Sequence, residues 1–275
     1  MSASISIRNN LLDVVLIKYV LCQGNTDYVT NVEYNYVHDF GVGVTNDFGG
    51  IKTGNKHYCD TEDEAGLEQR CYSYIRVYNN LVRDGWPYMC CANFLYSDVS
   101  AGKNLFENNI LTGSGSGALY HHCGLENESK NNLVHRVANT SNGAEAVSNM
   151  WGACEANSGK FQSFSNHHNI YYLDSTDNLK LYKSWNWFDE RTVFSDNLFY
   201  SLDPADEFKG MFPPSDLPFS SLPSVGSLRN QWADPGFRDA AAGDYQLTAA
   251  SPAPAMGIQQ IRLDNLGIAE QPFYL

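Results

Sequence analysis

The chain has no cluster of lysine and arginine residues, no long apolar run and no cysteine spacing typical of a zinc site. Its 18 Lys and Arg residues are outnumbered by 31 Asp and Glu residues, which gives a net charge of −13. Because polyanions bind basic surfaces, this balance argues against a nucleic-acid partner, an anionic membrane surface and a strongly polyanionic substrate. No stretch reaches the roughly 18 consecutive apolar residues of a membrane-spanning helix, so no membrane span is predicted.

The seven cysteines match no metal-binding pattern, and we expect neither a metal ion nor a cofactor. Cys59 and Cys71 flank the acidic stretch DTEDEAGLEQR and are candidates for a disulfide that closes a loop. Cys90 and Cys91 are adjacent and are predicted to lie on opposite faces of one strand. Because the count is odd, at least one cysteine lacks an intramolecular disulfide partner.

A repeated asparagine is the clearest feature that the chain does contain. Seven asparagines stand before short runs of strand-type residues, at Asn10, Asn35, Asn80, Asn109, Asn132, Asn169 and Asn197. Successive spacings are 25, 45, 29, 23, 37 and 28 residues, and the two longest fit the same unit carrying a long loop. Short β runs at this period, without sustained helical periodicity, predict an all-β fold: a single-stranded parallel β-helix, or solenoid.

We interpret these asparagines as scaffold. The chain must turn sharply between strands, and Asn tolerates the left-handed backbone conformation that such turns use. Stacked in successive coils, asparagine amides can hydrogen-bond to one another, which satisfies buried polar groups. The sequence therefore predicts an asparagine ladder along the solenoid.

Three stretches share a second pattern: VTNDFGG, LYSDVSAG and LYHHCG place Asp47, Asp98 and His122 just before a glycine-containing turn. Their spacing from the repeated asparagines predicts that all three occupy the same place in consecutive coils, with strands ~4.7–4.9 Å apart. Side-chain alternation then separates an inner and an outer set. The inner set is Val44, Leu95, Leu119, Asn46, Ser97 and His121, and the outer set is Thr45, Tyr96, Tyr120, Asp47, Asp98 and His122.

Two carboxyls on neighbouring coils suit acid–base chemistry, because one of them should keep its proton to a higher pH than a free Asp. Glycoside hydrolysis uses carboxyls ~5–5.5 Å or ~6.5–9.5 Å apart, which this register would allow. His122 is expected to hydrogen-bond Asp98 or hold a sugar hydroxyl, and Tyr96 and Tyr120 to wall the site. The alternative is that Asp47 and Asp98 are ordinary turn residues.

The stretches NVEYNYVHDFGVGVTNDFGGIKTGN and NFLYSDVSAGKNLFENNILTGSGSGALYHHCG resemble the core of bacterial right-handed parallel β-helix proteins grouped near glycoside hydrolase family 141. Three family motifs, Asp-x-Gly-Gly, Tyr-x-Asp-Glu-Gly and His-x-His-Tyr-Gly, are matched at residues 47–50, 96–98 and 122–124. The ending ADPGFRDAAAGDYQLTAASPAPAMG is similar to that of many secreted β-helix sugar enzymes. The resemblance extends from about Asn31 to about Gly267.

This resemblance implies a right-handed β-helix that hydrolyses a plant or marine polysaccharide or its oligosaccharides, with fucosidase- or xylanase-like activity and Asp47 and Asp98 as the catalytic residues. It also implies an extracellular or periplasmic location and a monomer. The chain departs from the family at Val99 and Ser100, where Glu-Gly is usual, and at Cys123, where Tyr is common. An expected arginine-rich stretch is replaced by NMWGACEANSG, in which Trp151 and Glu155 are candidates for lining the groove.

Two alternatives use the same architecture. A polysaccharide lyase needs a base such as Lys or Arg and usually a cation such as Ca²⁺, and Lys52 is the nearby candidate. A non-catalytic glycan-binding protein needs only the groove and its polar side chains, so Lys52, Tyr96, Tyr120 and His122 would serve as binding residues in any case.

The predicted organisation is 1–200 for the β-helix coils and 201–275 for an irregular excursion and C-terminal cap, with a short helix around residues 222–231. The second region begins with a proline-rich stretch, and its end is expected to pack back on the coils. The opening LLDVVLIKYVLC is interrupted by Asp13 and Lys18 and is a poor signal peptide. Since Met1 falls in mid-coil, we expect further coils or a cap upstream.

Overall fold

A computed structural model describes residues 4–8, 11–12, 15–17, 28–41, 48–54, 73–85, 92–98, 103–115, 117–122, 124–136, 148–151, 162–174, 182–184, 192–203, 229–264 and 266. These residues form 23 strands and one 3₁₀ helix, Ala253–Met256. Among the described residues, no helix has the length and apolarity to cross a membrane. The part of the chain that is described is therefore all-β, as predicted.

Three parallel sheets contain 21 of these strands. The first sheet has the order β1 (Ser4–Arg8), β4 (Tyr28–Glu33), β7 (Ser73–Tyr78), β10 (Asn104–Glu107), β13 (Gly124–Lys130), β16 (Gln162–His167) and β19 (Thr192–Ser195). The second has the order β2 (Leu11–Leu12), β5 (Tyr36–Phe40), β8 (Leu81–Gly85), β11 (Ile110–Gly113), β14 (Leu133–Arg136), β17 (Ile170–Leu173), β20 (Leu198–Ser201) and β21 (Gln231–Trp232). The third has the order β3 (Val15–Ile17), β6 (Phe48–Gly54), β9 (Ala92–Asp98), β12 (Gly117–His122), β15 (Ser148–Trp151) and β18 (Tyr182–Ser184).

Consecutive strands join the three sheets in turn, so neighbours within a sheet are three strands apart along the chain as far as β20. The sequence repeat thus corresponds to one passage through all three sheets. Two further strands, β22 (Phe237–Asp239) and β23 (Asp244–Leu247), form a separate antiparallel pair near the C-terminal end. The strand order confirms the all-β, parallel part of the fold prediction.

The predicted asparagine ladder is present at the corner between the first and second sheets. It runs through Asn35, Asn80, Asn109, Asn132, Asn169, Asn197 and Asn230. Each amide Nδ2 donates to the Oδ1 of the next asparagine over 2.9–3.1 Å, and each backbone N–H donates to the same oxygen. The shared acceptor satisfies amides that are buried as far as Asn197. Asn10 lies outside the described residues.

A left-handed residue precedes each of the first six rungs. These residues are Tyr34, Asn79, Asn108, Asn131, His168 and Asp196, with φ between 50° and 57°. A second, shorter asparagine ladder lies at the corner between the third and first sheets. There Lys103 and Glu126, which have left-handed backbone conformations, precede Asn104 and Asn127. Asn104 Nδ2 donates to Asn127 Oδ1 over 3.0 Å. Both corners therefore combine a left-handed turn with a buried amide.

Two apolar cores hold the sheets in place. The larger lies between the sheets and includes the fully buried side chains of Val32, Ile51, Leu95, Phe106 and Phe199. The smaller lies on the opposite side of the second sheet, where Leu81, Ile110, Leu133, Ile170 and Leu198 pack against Tyr245, Ala253, Ile258 and Leu266. Residues 233–264 and 266 thus cover the outer face of the second sheet.

The helix predicted around residues 222–231 is wrong where it can be compared, because Gln231 begins strand β21. Asn230 Oδ1 accepts the Asn197 amide as the next rung of the ladder, and β21 then pairs with β20. This hydrogen bond and the pairing with β20 hold the segment in an extended conformation, so the second sheet continues beyond residue 200.

Candidate functional site

The register between β6 and β9 differs from the prediction. Lys52 lies opposite Tyr96, Thr53 opposite Ser97 and Gly54 opposite Asp98. The predicted register, which set VTND beside LYSD, is therefore wrong by seven residues, and IKTG is the true counterpart of LYSD. Asp47 itself lies outside the described residues, and Phe48, which follows it, pairs with Ala92 at the other end of β9 from Asp98.

Two glycines explain the error. Gly49 and Gly50 were interpreted as turn residues, but both lie within strand β6. A Cβ on Gly49 would come within 2.8 Å of the Tyr96 Cβ, and one on Gly50 within 2.6 Å of the Val82 Cγ1. These positions need glycine because a side chain would meet the paired strand β9 at Gly49 and strand β8 of the second sheet at Gly50, not because the chain turns there.

The register between β9 and β12 agrees with the prediction. Leu95 pairs with Leu119, Tyr96 with Tyr120 and Ser97 with His121. As predicted, the described members of the inner set are buried: Leu95, Ser97 and Leu119 have no exposed surface, and His121 is 1% exposed. Val44 and Asn46 of this set, and Thr45 of the outer set, lie outside the described residues. Asp98 and His122 end these two strands on the outer face.

Five side chains meet on this outer face, and we call them the Asp98 cluster: Lys52, Tyr96, Asp98, Tyr120 and His122. Lys52 Nζ lies 3.0 Å from Asp98 Oδ2. The Tyr96 hydroxyl donates to Asp98 Oδ1 over 2.9 Å, and His122 Nδ1 lies 3.2 Å from the same oxygen. The predicted hydrogen bond between His122 and Asp98 is thus confirmed.

The cluster holds Asp98 in its ionised form. Burial alone would raise the pKa of this carboxyl, but the hydrogen bonds from His122, Lys52 and Tyr96 and the Lys52 charge outweigh it and lower the pKa well below the usual range. Asp98 is therefore not a carboxyl that retains its proton at neutral pH. With Asp98 ionised, the proton of a neutral His122 ring lies on Nδ1, where it donates to the carboxylate, and Nε2 is left as an acceptor.

The two tyrosines support this carboxylate and do not form open walls. Tyr96 is 2% exposed and Tyr120 is 7% exposed, so the flat surfaces expected for stacking on sugar rings are covered. Their rings meet edge-to-face with centroids 4.5 Å apart, and Lys52 Nζ lies 4.3 Å from the Tyr96 centroid. This packing fixes the lysine and the Tyr96 hydroxyl around Asp98. By contrast, the Asp98 and His122 side chains are each 22% exposed.

The remaining predicted residues are placed only in part. Trp151 lies opposite His122 in the ladder between β12 and β15, one strand further along the third sheet. Its side chain, like Glu155 and Asp47 as a whole, lies outside the described residues. Among the residues that the structure describes, no group of three or more His, Cys, Asp or Glu side chains is placed to hold a metal ion.

The sequence prediction gave no role to a polar row behind the cluster. Thr53, Ser97 and His121 lie opposite one another on β6, β9 and β12, on the inner face, and are 0–1% exposed. A signal for this row was available, since the inner-face alternation passes through Ser97 and His121 at the same place in two coils. The ion pair from Lys52 could not be found, because it depends on the corrected register.

A second carboxylate–imidazole pair lies on the outer face of the second sheet and serves as a reference. Asp174 Oδ1 lies 2.9 Å from His135 Nε2, and His135 Nδ1 lies 2.7 Å from the Tyr245 hydroxyl. Tyr245 belongs to the segment that covers this face. The pair is thus tied to the covering segment, whereas the Asp98 cluster lies on a different sheet.

No family model, curated protein or solved structure matches the chain.

Proposed function

We propose that the chain is a right-handed parallel β-helix protein that binds carbohydrate and hydrolyses glycosidic bonds, with Asp98 as an ionised carboxylate at the reacting sugar. The observation that carries the proposal is the convergence of Lys52, Tyr96 and His122 on a single carboxylate at the outer face of the third sheet. The cyclic use of three parallel sheets supports the solenoid. The resemblance to glycoside hydrolase family 141 supports the sugar substrate and an extracellular or periplasmic location.

The chemistry follows from the charge state of the cluster. A carboxylate that stays ionised can act as a nucleophile toward the anomeric carbon or as a base toward water, and hydrolysis requires a second carboxyl as the acid. The corrected register does not support the predicted Asp47 as this second group, because Phe48, which follows it, pairs with Ala92 at the other end of β9 from Asp98. His122, whose Nε2 is not the nitrogen bound to Asp98, is suited to hold a sugar hydroxyl.

Hydrolysis is favoured over lyase chemistry by the position of Lys52. A lyase needs a base that removes a proton from the sugar ring, but this amine is engaged as a donor to Asp98 at 3.0 Å. The same ion pair partly neutralises Asp98, so the cluster presents a polar surface rather than a strongly charged one.

The test is Asp98→Asn, assayed by release of reducing sugar from xylan oligosaccharides and fucosylated pectin fragments. We expect a loss of about 100-fold or more, the range for removal of an acid–base group. The matched control is Asp174→Asn, which alters the other carboxylate–imidazole pair and should retain activity. Asp47→Asn, assayed in parallel, tests the predicted partner carboxyl.

Three outcomes would overturn the proposal. Full activity in Asp98→Asn would remove this carboxylate from the reaction. An ultraviolet-absorbing unsaturated product would show elimination instead of hydrolysis. Binding on a glycan array without release of reducing sugar from any substrate would identify a binding protein. Circular dichroism of each variant checks that the fold is retained.

A further inference from the structure

The buried polar row behind the Asp98 cluster is tied to the neighbouring strands residue by residue. Thr53 Oγ1 donates to the Tyr96 carbonyl over 3.4 Å. Ser97 Oγ accepts from Asn104 Nδ2 over 3.0 Å, and His121 Nε2 lies 3.0 Å from Ser129 Oγ. Each bond joins a residue on the third sheet either to the next coil or, across the corner, to the first sheet.

Two of these bonds cross the corner immediately before a cluster residue. Ser97 precedes Asp98, and its partner Asn104 begins the next strand, β10. His121 precedes His122, and its partner Ser129 lies on the next strand, β13. In both coils the chain is therefore fixed on the inside at the residue before the one whose side chain points outward into the cluster.

The histidine at position 121 lowers the stability of this part of the core. Its ring stacks on Phe106 with centroids 5.0 Å apart and meets Phe164 at 4.5 Å, so its surroundings are those of a phenylalanine. Nδ1 is buried with no hydrogen-bond partner among the described residues, which typically costs about 1–3 kcal/mol. Burial also lowers the pKa of His121 to about 3, so the ring is neutral.

Stability alone would favour an apolar ring between Phe106 and Phe164, so the imidazole needs another explanation. The bond to Ser129 is the interaction that a phenylalanine could not make. That bond fixes the end of β12, where His122 must reach Asp98 over 3.2 Å. Because His121 does not change charge between pH 5 and pH 8, this restraint is constant while neighbouring groups titrate.

We propose that His121, through Ser129, is a positioning residue that holds His122 in hydrogen-bonding contact with Asp98. The proposal rests on the proposed function for its catalytic consequence, but the contact itself can be measured without any substrate. Ser97 and Asn104 have the same role one coil earlier, where they fix the strand end that carries Asp98.

The test is the double variant His121→Phe with Ser129→Ala, which removes both partners of the buried bond and keeps the aromatic stack. Removing both partners together avoids leaving a buried hydroxyl without a partner, so the variant is expected to fold with unchanged or higher thermal stability. The ring ¹⁵N signals of His122 are followed by NMR at neutral pH, because they report whether Nδ1 carries the proton that it donates to Asp98. We expect these signals to shift as the bond to Asp98 is lost and the proton is no longer held on Nδ1.

The control is Tyr171→Phe, which breaks a buried polar contact of similar depth elsewhere in the interior, where the Tyr171 hydroxyl donates to Asn166 Oδ1 over 3.0 Å. It should lower stability and leave the His122 ring signals unchanged. If the double variant also leaves those signals unchanged, the positioning role is refuted. Shifted His122 signals without loss of sugar cleavage would keep the positioning role and refute the catalytic function of the pair.

On an active substrate, the double variant is expected to lower kcat by about 10–100-fold with little change in KM, because misplacement of a reacting group affects the transition state more than binding. The single variant Ser129→Ala keeps the imidazole and removes only its partner, so it should lose kcat to a similar extent if Ser129 is required. Wild-type kcat and unchanged His122 ring signals in Ser129→Ala would refute the role of Ser129.

Discussion

The outer faces of the second and third sheets have the same parallel architecture and opposite chemistry. On the second sheet, Leu81, Ile110, Leu133, Ile170 and Leu198 form an apolar row covered by residues 233–264 and 266. On the third sheet, Lys52, Asp98 and His122 form a polar cluster whose carboxylate and imidazole are partly exposed. Strand pairing does not distinguish these faces, so the outward side chains alone decide which face is covered and which can meet a ligand.

The two faces also differ in the kind of interaction that stabilises them. The covered face is stabilised mainly by removal of apolar surface from water, a contribution that does not depend on pH, although the His135–Asp174 pair also lies there. The Asp98 cluster and the buried His121 behind it depend on protonation states. The two regions should therefore respond differently to truncation and to acid.

The largest effect is expected from truncation on the covered face. Leu133 is 2% exposed beneath the C-terminal segment, and Leu133→Ala should lower the free energy of unfolding by about 2–5 kcal/mol through lost burial and a residual cavity. Urea unfolding at neutral pH measures it. A loss below about 1 kcal/mol would mean that the second core contributes little to stability.

Acid should then distinguish the two regions. The folded-state pKa of His121 is about 3, below the ordinary value near 6.5. Between these pH values His121 therefore binds a proton in the unfolded chain but not in the folded chain. Stability must fall as the pH is lowered from about 6.5 to 3, by up to about 1.4 kcal/mol per pH unit from this group. His121→Phe should flatten that dependence, whereas Leu133→Ala should run parallel to the wild type.

Asp98 contributes in a lower window. Its folded-state pKa is depressed, so the stability that it provides is present above the ordinary Asp value of about 3.9 and is lost as the pH falls below it. In the same unfolding series, the difference between wild type and Asp98→Asn should shrink on acidification below that value. Equal slopes for wild type, His121→Phe and Asp98→Asn would contradict the assignment of acid sensitivity to the third sheet.

The smallest effect concerns the attachment of the covering segment. Asn131 Oδ1 accepts the Gln259 backbone N–H over 2.7 Å, and Asn131 Nδ2 donates to the Gln259 carbonyl over 3.1 Å. Asn131→Gly removes both bonds, together with the bond from Asn131 Nδ2 to Asn108 Oδ1 over 2.7 Å. Glycine tolerates the left-handed backbone at this residue, where φ is 50°. We expect a loss of about 1–2 kcal/mol and faster hydrogen exchange of the Gln259 amide. Unchanged exchange would show that apolar packing alone holds the segment.

The all-β, parallel arrangement of the strands was largely predictable because its signal is repeated. Six of the seven predicted asparagines lie in the observed ladder, and the sequence period matches one passage through the three sheets. Asn230 was missed because a proline-rich stretch, rather than a recognisable β run, precedes it. The Asn104–Asn127 pair was missed because two rungs are too few to define a period.

At the candidate site, the strand register was predicted correctly except where glycines within a strand resembled turn glycines. The pairing of Tyr96 with Tyr120 followed correctly from two similar phrases. The pairing of Asp47 with Asp98 did not, because glycines required by close strand packing look the same in sequence as glycines required by a turn. The burial of Tyr96 and Tyr120 could not be predicted either, since alternation gives the face of a side chain but not what covers that face.

The asparagine ladder also bears on how the number of residues between strands can vary in this fold. Its successive rungs are separated by 45, 29, 23, 37, 28 and 33 residues, yet each returns to the same acceptor geometry. The number of residues between two rungs is therefore not fixed by the ladder. A change of length in one interval should leave the other rungs in place, so surface segments between rungs can differ while the buried amides stay the same.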